Sequence, residues 1–236
     1  MISASTREDT TVIDLAVQPL REVNALLQAG RRGSQHPYRL KNPRGQHAIA
    51  VGLDAPVHVT IEGNVGYYAA GMNKAATVIV EGNAGPGVAE NMMSGRVHVK
   101  GNASMAAGAT ARGGFLLIDG DAGARCGISM KGVDIVVRGN VGHMSAFMAQ
   151  SGALVVCGDA GEAFGDSLYE ARLFVRGTVT NLGADCERKD MTHEDRVRLE
   201  GLLTAAGIAD MSAEDFTLYG SARRLYHFHV DHANVY

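Results

Sequence analysis

A glycine recurs at an interval of 19 residues through the middle of this chain, and the interval does not change over seven copies. The glycines open segments such as "GNVG" at 63, "GDAG" at 120 and 158, and the degenerate "GTVT" at 177. A strict repeat of this length is typical of a solenoid, in which every copy forms one unit that stacks on its neighbours. The seven positions are Gly63, Gly82, Gly101, Gly120, Gly139, Gly158 and Gly177.

Each glycine follows an alternating apolar segment. The residues two and four positions before it are Val, Ile or Leu in every copy, which predicts one short strand per repeat with one face buried. Because no repeat contains a helical segment of crossover length, a parallel sheet wound through helices is excluded. The sequence therefore predicts an all-β parallel solenoid of about seven coils over residues 53–186. The buried ladder expected two positions before the glycines is Ile61, Val80, Val99, Ile118, Val137, Val156 and Val175.

The repeated glycines are interpreted as turn residues that supply positive φ and allow close backbone packing. A dinucleotide-binding or phosphate-binding loop would occur once, between a strand and a long helix, whereas this pattern occurs seven times without a helix. Beside the glycines runs an Asn/Asp column at positions 64, 83, 102, 121, 140 and 159, interpreted as turn residues with stacked amide hydrogen bonds. A calcium-binding solenoid is the alternative, but its nonapeptide is absent. A small residue seven positions after each glycine predicts a tight inner corner.

Helical segments flank the repeat on both sides. The first, from Pro19 to Gly30, places apolar residues on one face, and the second, from Thr192 to Gly207, opens with a capping pattern. We expect these helices to cap the ends of the solenoid, because its open sheet edges need cover. The predicted organisation is an N-terminal helix and lead-in cap at 1–52, a β-helix at 53–186, and a C-terminal helix and tail at 187–236.

Composition excludes several classes of function. The 236 residues carry a formal net charge of −3, which gives no indication of nucleic-acid binding. The N-terminal segment resembles neither a secretory nor a mitochondrial leader, and no window is apolar over the length of a membrane span. The three cysteines, at positions 126, 157 and 186, form no CxxC motif and are expected to be reduced in a cytoplasmic protein.

The sequence predicts no catalytic, cofactor-binding or metal-binding residue. The cysteines occupy different positions in the repeat, so they do not converge on a cluster. Three tail histidines suggest a metal site, but His232 breaks the alternation of His227 and His229, and no fourth ligand accompanies them. The tail instead predicts a docking segment, since aromatic and basic residues are enriched in interfaces; a cap over the last coil is the alternative. The candidate docking residues are Arg223, Arg224, Tyr226, His227, Phe228 and His229.

The repeats resemble a known family. The form G-x-x-G-x-x-x-G, as in "GDAGARCG" and "GDAGEAFG" and relaxed in "GNVGYYAA", is similar to the GXGXG domain of the glutamate synthase large subunit, over residues 40 to 185 or so. The lead-in "RGQHAIAVGL" at 44–53 is also similar. The resemblance implies a right-handed parallel β-helix, which in this family also occurs as a separate subunit.

A chain of this size resembles the small β-helix subunit of N-methylglutamate synthase. That resemblance implies a scaffold for two partners, a glutamine-amidotransferase-like subunit and an FMN-binding glutamate-synthase-like subunit, in a hetero-oligomer that joins methylamine to glutamate with release of ammonia. FMN, with or without an iron–sulfur cluster, is then expected on a partner and not on this chain. The β-helix subunit of formylmethanofuran dehydrogenase, or of the related formyltransferase/hydrolase complex, is the alternative, and a free-standing solenoid binding module is a further one.

Overall fold

Eleven strands, two α-helices and one 3-10 turn make up the computed structural model, which describes residues 10–30 and 36–223. The strands form one sheet in the order β1-β2-β3-β4-β5-β6-β7-β8-β9-β11-β10. In chain order the elements are β1 (Thr11–Asp14), α1 (Leu20–Gln28), β2 (Pro37–Lys41), β3 (His58–Ile61), β4 (Thr77–Val80), β5 (Arg96–Val99), β6 (Phe115–Ile118), β7 (Lys131–Val137), β8 (Ser151–Val156), β9 (Arg172–Val175), β10 (Cys186–Lys189), α2 (His193–Ala205), the 3-10 turn (Ala213–Asp215) and β11 (Thr217–Ser221).

The 19-residue repeat sets the register of the sheet. Strands β3 to β9 pair in parallel, and residues lie opposite those 19 positions later, as Val80 does opposite Val99. The exception is at the start of β7, where Lys131 lies opposite Ser151 before the register shifts. All seven residues of the predicted ladder are buried, with exposed fractions of 1% or less. Together with the short flanking helices, this confirms the predicted right-handed parallel β-helix.

A second line of parallel bridges runs along another side of each coil. It joins the apolar residues two positions after the repeat glycines, from Val65 through Ala84 and onward to Val179. The first six of these residues are nearly fully buried. The small side chains in this line allow the two sides of each coil to approach closely, and the strand ladder fills the space between them.

The prediction that the repeat glycines supply positive φ is wrong for most of them. Among the seven, only Gly63 has positive φ, at 128°. The others are required because neighbouring coils approach so closely: a Cβ on Gly139 would lie 2.9 Å from the backbone carbonyl of Gly120 and would overlap with the carboxylate of Asp121. These glycines are therefore spacers between stacked coils.

Positive φ occurs instead at the corner that follows, at positions five, seven and nine after the glycine. Most of these residues carry side chains; in the first coil they are Tyr68, Ala70 and Met72, with φ of 53° to 61°. The alternation directs successive backbone N–H groups to opposite neighbours: Ala70 donates to Ile49 of the preceding turn, and Met72 donates to Glu90 of the next coil. The predicted tight inner corner is confirmed in six coils, where the small seventh residue is buried and left-handed.

The two helices have different places. Helix α1 covers the N-terminal end, as expected: Val23 and Leu27 are buried in the solenoid core, and the Asn24 side chain donates to the carbonyl of Ala48 and accepts from the N–H of Ala50. The expectation that the second helix caps the other end is wrong. At that end β11 pairs antiparallel with β9, and β10 lies beyond β11 at the sheet edge.

Helix α2 packs against the outer face of the sheet. Four outward-facing sheet residues are apolar and buried there, and they form one cluster with Leu199, Leu202 and Leu203 of the helix. Burying this apolar surface stabilises the protein more than covering the sheet edge with a helix would. The edge needs no helix, because a β-strand already covers it with its own hydrogen bonds. The sheet residues are Leu117, Val136, Val155 and Phe174.

Polar contacts hold α2 in register with the sheet. The predicted capping pattern is confirmed, because the Thr192 hydroxyl accepts from the N–H of Asp195 and the Asp195 carboxylate accepts from the N–H of Thr192. At the other end, Arg96 donates to the carbonyl of Ala205 and Arg138 to that of Ala206. Cations at a helix C-terminus also compensate its negative end, so both ends of α2 are satisfied.

Candidate partner interface

A cavity of about 480 Å³ opens at the C-terminal end of the solenoid, where the described chain ends. It lies between the loop that precedes β9 and the antiparallel pair β10 and β11. Its lining includes three basic residues, one tyrosine and one acidic residue, Glu170. The basic and aromatic residues are Tyr169, Arg172, Lys189 and Arg223.

Each basic side chain in this cavity already has an acidic neighbour. Arg223 lies 2.5 Å from Asp185, and Lys189 lies 2.5 Å from Glu187. Arg172 lies 3.5 Å from Asp195, the capping residue of α2. These pairs are partly exposed and each contributes little stability. Their common effect is to fix three cations around the point from which the chain continues.

Among the predicted docking residues, only Arg223 is described. It lines the cavity, as expected of a residue at the base of a docking segment, and its side chain is 68% exposed despite the ion pair. The remaining candidates lie outside the described residues, and so do the three tail histidines. Those candidates are Arg224, Tyr226, His227, Phe228 and His229.

A histidine–aspartate pair on the outer sheet face has the composition of a catalytic dyad. His98 Nε2 lies 2.9 Å from Asp119 Oδ2, and Arg138 Nε lies 3.1 Å from Asp119 Oδ1. Burial lowers the pKa of His98, and the hydrogen bond to Asp119 opposes that shift only in part. Because Arg138 also holds the C-terminus of α2, this group couples the helix to the sheet, and no nucleophilic hydroxyl or thiol contacts the histidine among the hydrogen bonds of the described residues.

The Asn/Asp column is a ladder of a different kind from the one predicted. Each side-chain oxygen accepts from the backbone N–H of the equivalent residue in the next coil, as Asn102 Oδ1 does from Asp121 N at 2.8 Å. The interpretation as stacked amide hydrogen bonds is therefore corrected in one respect: the donor is a backbone N–H and not a side-chain amide. Either an amide or a carboxylate oxygen can accept this hydrogen bond, which explains why both Asn and Asp occur in the column. Hydrogen bonding to Thr178 lowers the pKa of Asp159, the last member.

All three cysteines are buried as free thiols. Burial raises the pKa of Cys126 and of Cys186 to about 12, and that of Cys157 to about 11. Within the described residues, no group of three or more His, Cys, Asp or Glu side chains is arranged to hold a metal ion. No helix in the described part of the chain has the length and apolar character needed to cross a bilayer.

We expect the folded chain to resist alkylation by iodoacetamide near pH 8, because the thiolate is the reactive species and a raised pKa leaves little of it. Unfolding in urea should expose all three thiols, with pKa values near the ordinary value of about 8.5. Mass spectrometry of intact chain labelled in the two states checks this. Rapid labelling of any cysteine in the native state would contradict the burial described.

Comparison with curated proteins finds Protein GlxC of Rhizobium meliloti (strain 1021), which is 62% identical over 226 residues. The match covers 95% of this chain and 99% of that protein. The chain belongs to the GlxC family. No family model matches the sequence, and no solved structure matches it.

The likeness to GlxC extends over nearly the whole chain, so the solenoid and both flanking helices belong to the shared sequence. The fold described here is therefore a property of the family, since proteins with this level of identity share their fold.

Proposed function

We propose that the chain is a non-catalytic scaffold subunit of a glutamate-synthase-like complex. In this role it would hold a glutamine-amidotransferase-like subunit and an FMN-binding glutamate-synthase-like subunit, and would form part of the wall of the passage between their sites. The reaction proposed for the complex is that of N-methylglutamate synthase, in which methylamine and glutamate give N-methylglutamate and ammonia. The observation that carries the proposal is the G-x-x-G repeat, which resembles the GXGXG domain and lies on a right-handed parallel β-helix.

The arrangement of polar groups supports a structural role. The side-chain oxygens of the Asn/Asp column are occupied by backbone N–H groups of the next coil. The pair formed by His98 and Asp119 is tied through Arg138 to α2. The buried thiols have raised pKa values and are poor nucleophiles. FMN, and an iron–sulfur cluster where one is present, are accordingly proposed to be bound by a partner subunit.

The tail is proposed as one of the docking segments. Arg223 stands at its base in a cavity with two further cations, Arg172 and Lys189, and the residues that follow are rich in aromatic side chains. Such residues supply much of the binding energy of interfaces. The competing possibility is that the tail covers the last coil, with Tyr226 and Phe228 as core residues.

Deleting residues 224–236 tests the tail proposal, because the deletion leaves every described residue in place, including the ion pair of Arg223 with Asp185. We expect the shortened chain to keep its melting temperature but to lose co-purification with the amidotransferase-like and FMN-binding polypeptides of the same genome. The measurement is affinity purification after co-expression, with flavin absorbance followed in each fraction. An Arg223→Ala variant with the tail intact serves as the control for the ion pair.

Two other outcomes would contradict this expectation. Unfolding of the shortened chain would identify the tail as a cap. Full retention of both partners would place the contacts elsewhere on the molecule. If the intact chain itself binds neither polypeptide, the proposed function fails, and the alternative complexes or a free-standing binding module become the better interpretation.

A further inference from the structure

The outer surface of the left-handed corner carries exposed apolar side chains in the first three coils. We define the corner face as residues 67–74, 86–93, 105–112 and 124–131, which occupy equivalent positions in four successive repeats. Four of its large apolar residues are 41% to 53% exposed. They are Tyr67, Met72, Met93 and Met105.

The corner fixes which of its side chains point inward. Of the three left-handed positions, the seventh after the glycine holds a small buried residue, as at Ala70 and Ala89, whereas Met72 at position nine is exposed. Tyr68 lies across Gly71, and its hydroxyl accepts from the Asn91 side chain of the next coil at 3.2 Å. Tyr68 is therefore held in place before any partner binds, which lowers the entropic cost of ordering it on association.

The apolar part of the corner face continues into a basic part. Arg112, Arg125 and Lys131 are exposed, and among the described residues they form no ion pair. Lys74 pairs with Asp54, which lies outside the corner face. Within the four segments there are four cations and one carboxylate, Glu90, although the whole chain has a net charge of −3. The positive charge is thus concentrated beside the apolar residues.

We propose that the corner face binds a partner subunit of the complex through a surface that is apolar on one side and carries carboxylates on the other. Methionine, tyrosine and arginine are the residue types enriched in interface cores, and methionine adapts its shape to an opposing surface. Exposed cations without partners are matched by carboxylates, which guide association and select the partner. The inference rests on the proposed function, which requires contacts with two subunits, of which the tail can supply one.

A second copy of this chain fits the corner face less well. In a two-fold contact the same surface supplies both sides, so four cations on each side would find one carboxylate, Glu90, opposite them. An anionic membrane would match the charge, but Arg125 and Lys131 lie one repeat beyond Met105, so the cations do not surround the apolar residues as in a membrane-surface helix. A protein surface with an apolar part beside an acidic part satisfies both.

The test uses the full chain co-expressed with the amidotransferase-like and FMN-binding polypeptides of the same genome. The variant Met93→Glu/Met105→Glu places carboxylates in the apolar part, and Arg112→Glu/Lys131→Glu reverses the basic part. All four side chains are exposed, so the fold should tolerate the changes, as unchanged melting temperatures would show. Val197→Glu is the matched control, because Val197 is 58% exposed on α2, away from the corner face.

We expect both double variants to bind one of the two polypeptides at least about tenfold more weakly than the control, in titrations of purified subunits. Binding of the intact chain should weaken as salt is raised, and the charge-reversed variant should lose most of that dependence. Equal binding by the variants and the control would overturn the inference while leaving the proposed function in place. An intact chain that binds neither polypeptide would overturn both.

Two further measurements exclude other occupants. Sedimentation of the intact chain alone should show a monomer; a dimer that the Met93→Glu/Met105→Glu variant dissociates would assign the face to a second copy and overturn the inference. Phosphatidylglycerol vesicles should not co-sediment with the chain. Binding to vesicles that is lost in both double variants would assign the face to a membrane and would likewise overturn it.

Discussion

Replacing Gly120 by valine should lower the free energy of unfolding by about 2–4 kcal/mol. A Cβ at this position would overlap with the side-chain oxygen of Asn102 and would lie 3.0 Å from the carbonyl oxygen of Gly101. The coils would have to separate locally, and the hydrogen bond from Asp121 N to Asn102 Oδ1 would be lost with them. The cause is steric contact between coils, since Gly120 does not have positive φ.

Urea denaturation of the Gly120→Val variant checks this expectation. Gly201→Ala is the matched control: Gly201 lies within α2, and a Cβ there would meet nothing within 4 Å. That control should stabilise the protein by about 0.5–1 kcal/mol, because alanine loses less conformational freedom in a helix. A Gly120→Val variant as stable as the intact chain would show that neighbouring coils can separate at little cost, and the interpretation of the glycines as spacers would be wrong.

Truncating Phe174 to alanine should destabilise the protein by about 3–5 kcal/mol, which is the range for large aromatic residues in a well-packed core. Phe174 is fully buried on the outer face of β9, in the cluster that joins the sheet to α2. Helix α2 is held both by the arginine contacts at its C-terminus and by this cluster. It therefore cannot move freely into the space that the missing phenylalanine ring would leave. The loss should therefore fall in the upper part of the range for aromatic truncation.

Hydrogen exchange shows which part of the protein is destabilised, as well as by how much. Amides of α2 should exchange faster in the Phe174→Ala variant, whereas amides of β3 and β4, which lie far along the solenoid, should change much less. Tyr169→Ala is a suitable control, because Tyr169 is 48% exposed and its truncation should change stability by about 0.5 kcal/mol or less. Loss of less than about 1 kcal/mol in the Phe174 variant would mean that α2 is held by its polar contacts alone.

The division of the chain at residues 53 and 186 stays a prediction. Strand pairing crosses both positions: β2 pairs with β3 on the N-terminal side, and β10 and β11 extend the sheet on the C-terminal side. The spacing from Leu40 to its partner Ile61 is 21 residues and not 19, so a search for the strict interval does not find the earlier strand.

The corner face is not part of the repeat pattern, because its exposed side chains differ from one copy to the next. Its signal was present in the residues four positions after the glycine, which are Tyr67, Pro86 and Met105 in the first three coils. Large apolar residues at a position that must point outward indicate a contact surface. Of the three cations in the C-terminal cavity, the sequence indicated Arg223 alone, since Arg172 and Lys189 lie far from it in the chain and meet it only in the folded structure.

The sequence by itself determined the parallel solenoid, its 19-residue register and its buried ladder, because each coil repeats the same pattern of apolar and glycine residues and stacks on an almost identical neighbour. Only the tertiary structure decided where α2 packs, how the C-terminal edge is covered and why the glycines are needed. Those features depend on contacts between unlike segments, such as the bond from Arg96 to the carbonyl of Ala205, 109 residues away. A repeat specifies how a coil meets the next coil, whereas the place of a segment outside the repeat depends on which apolar surface the finished solenoid leaves open.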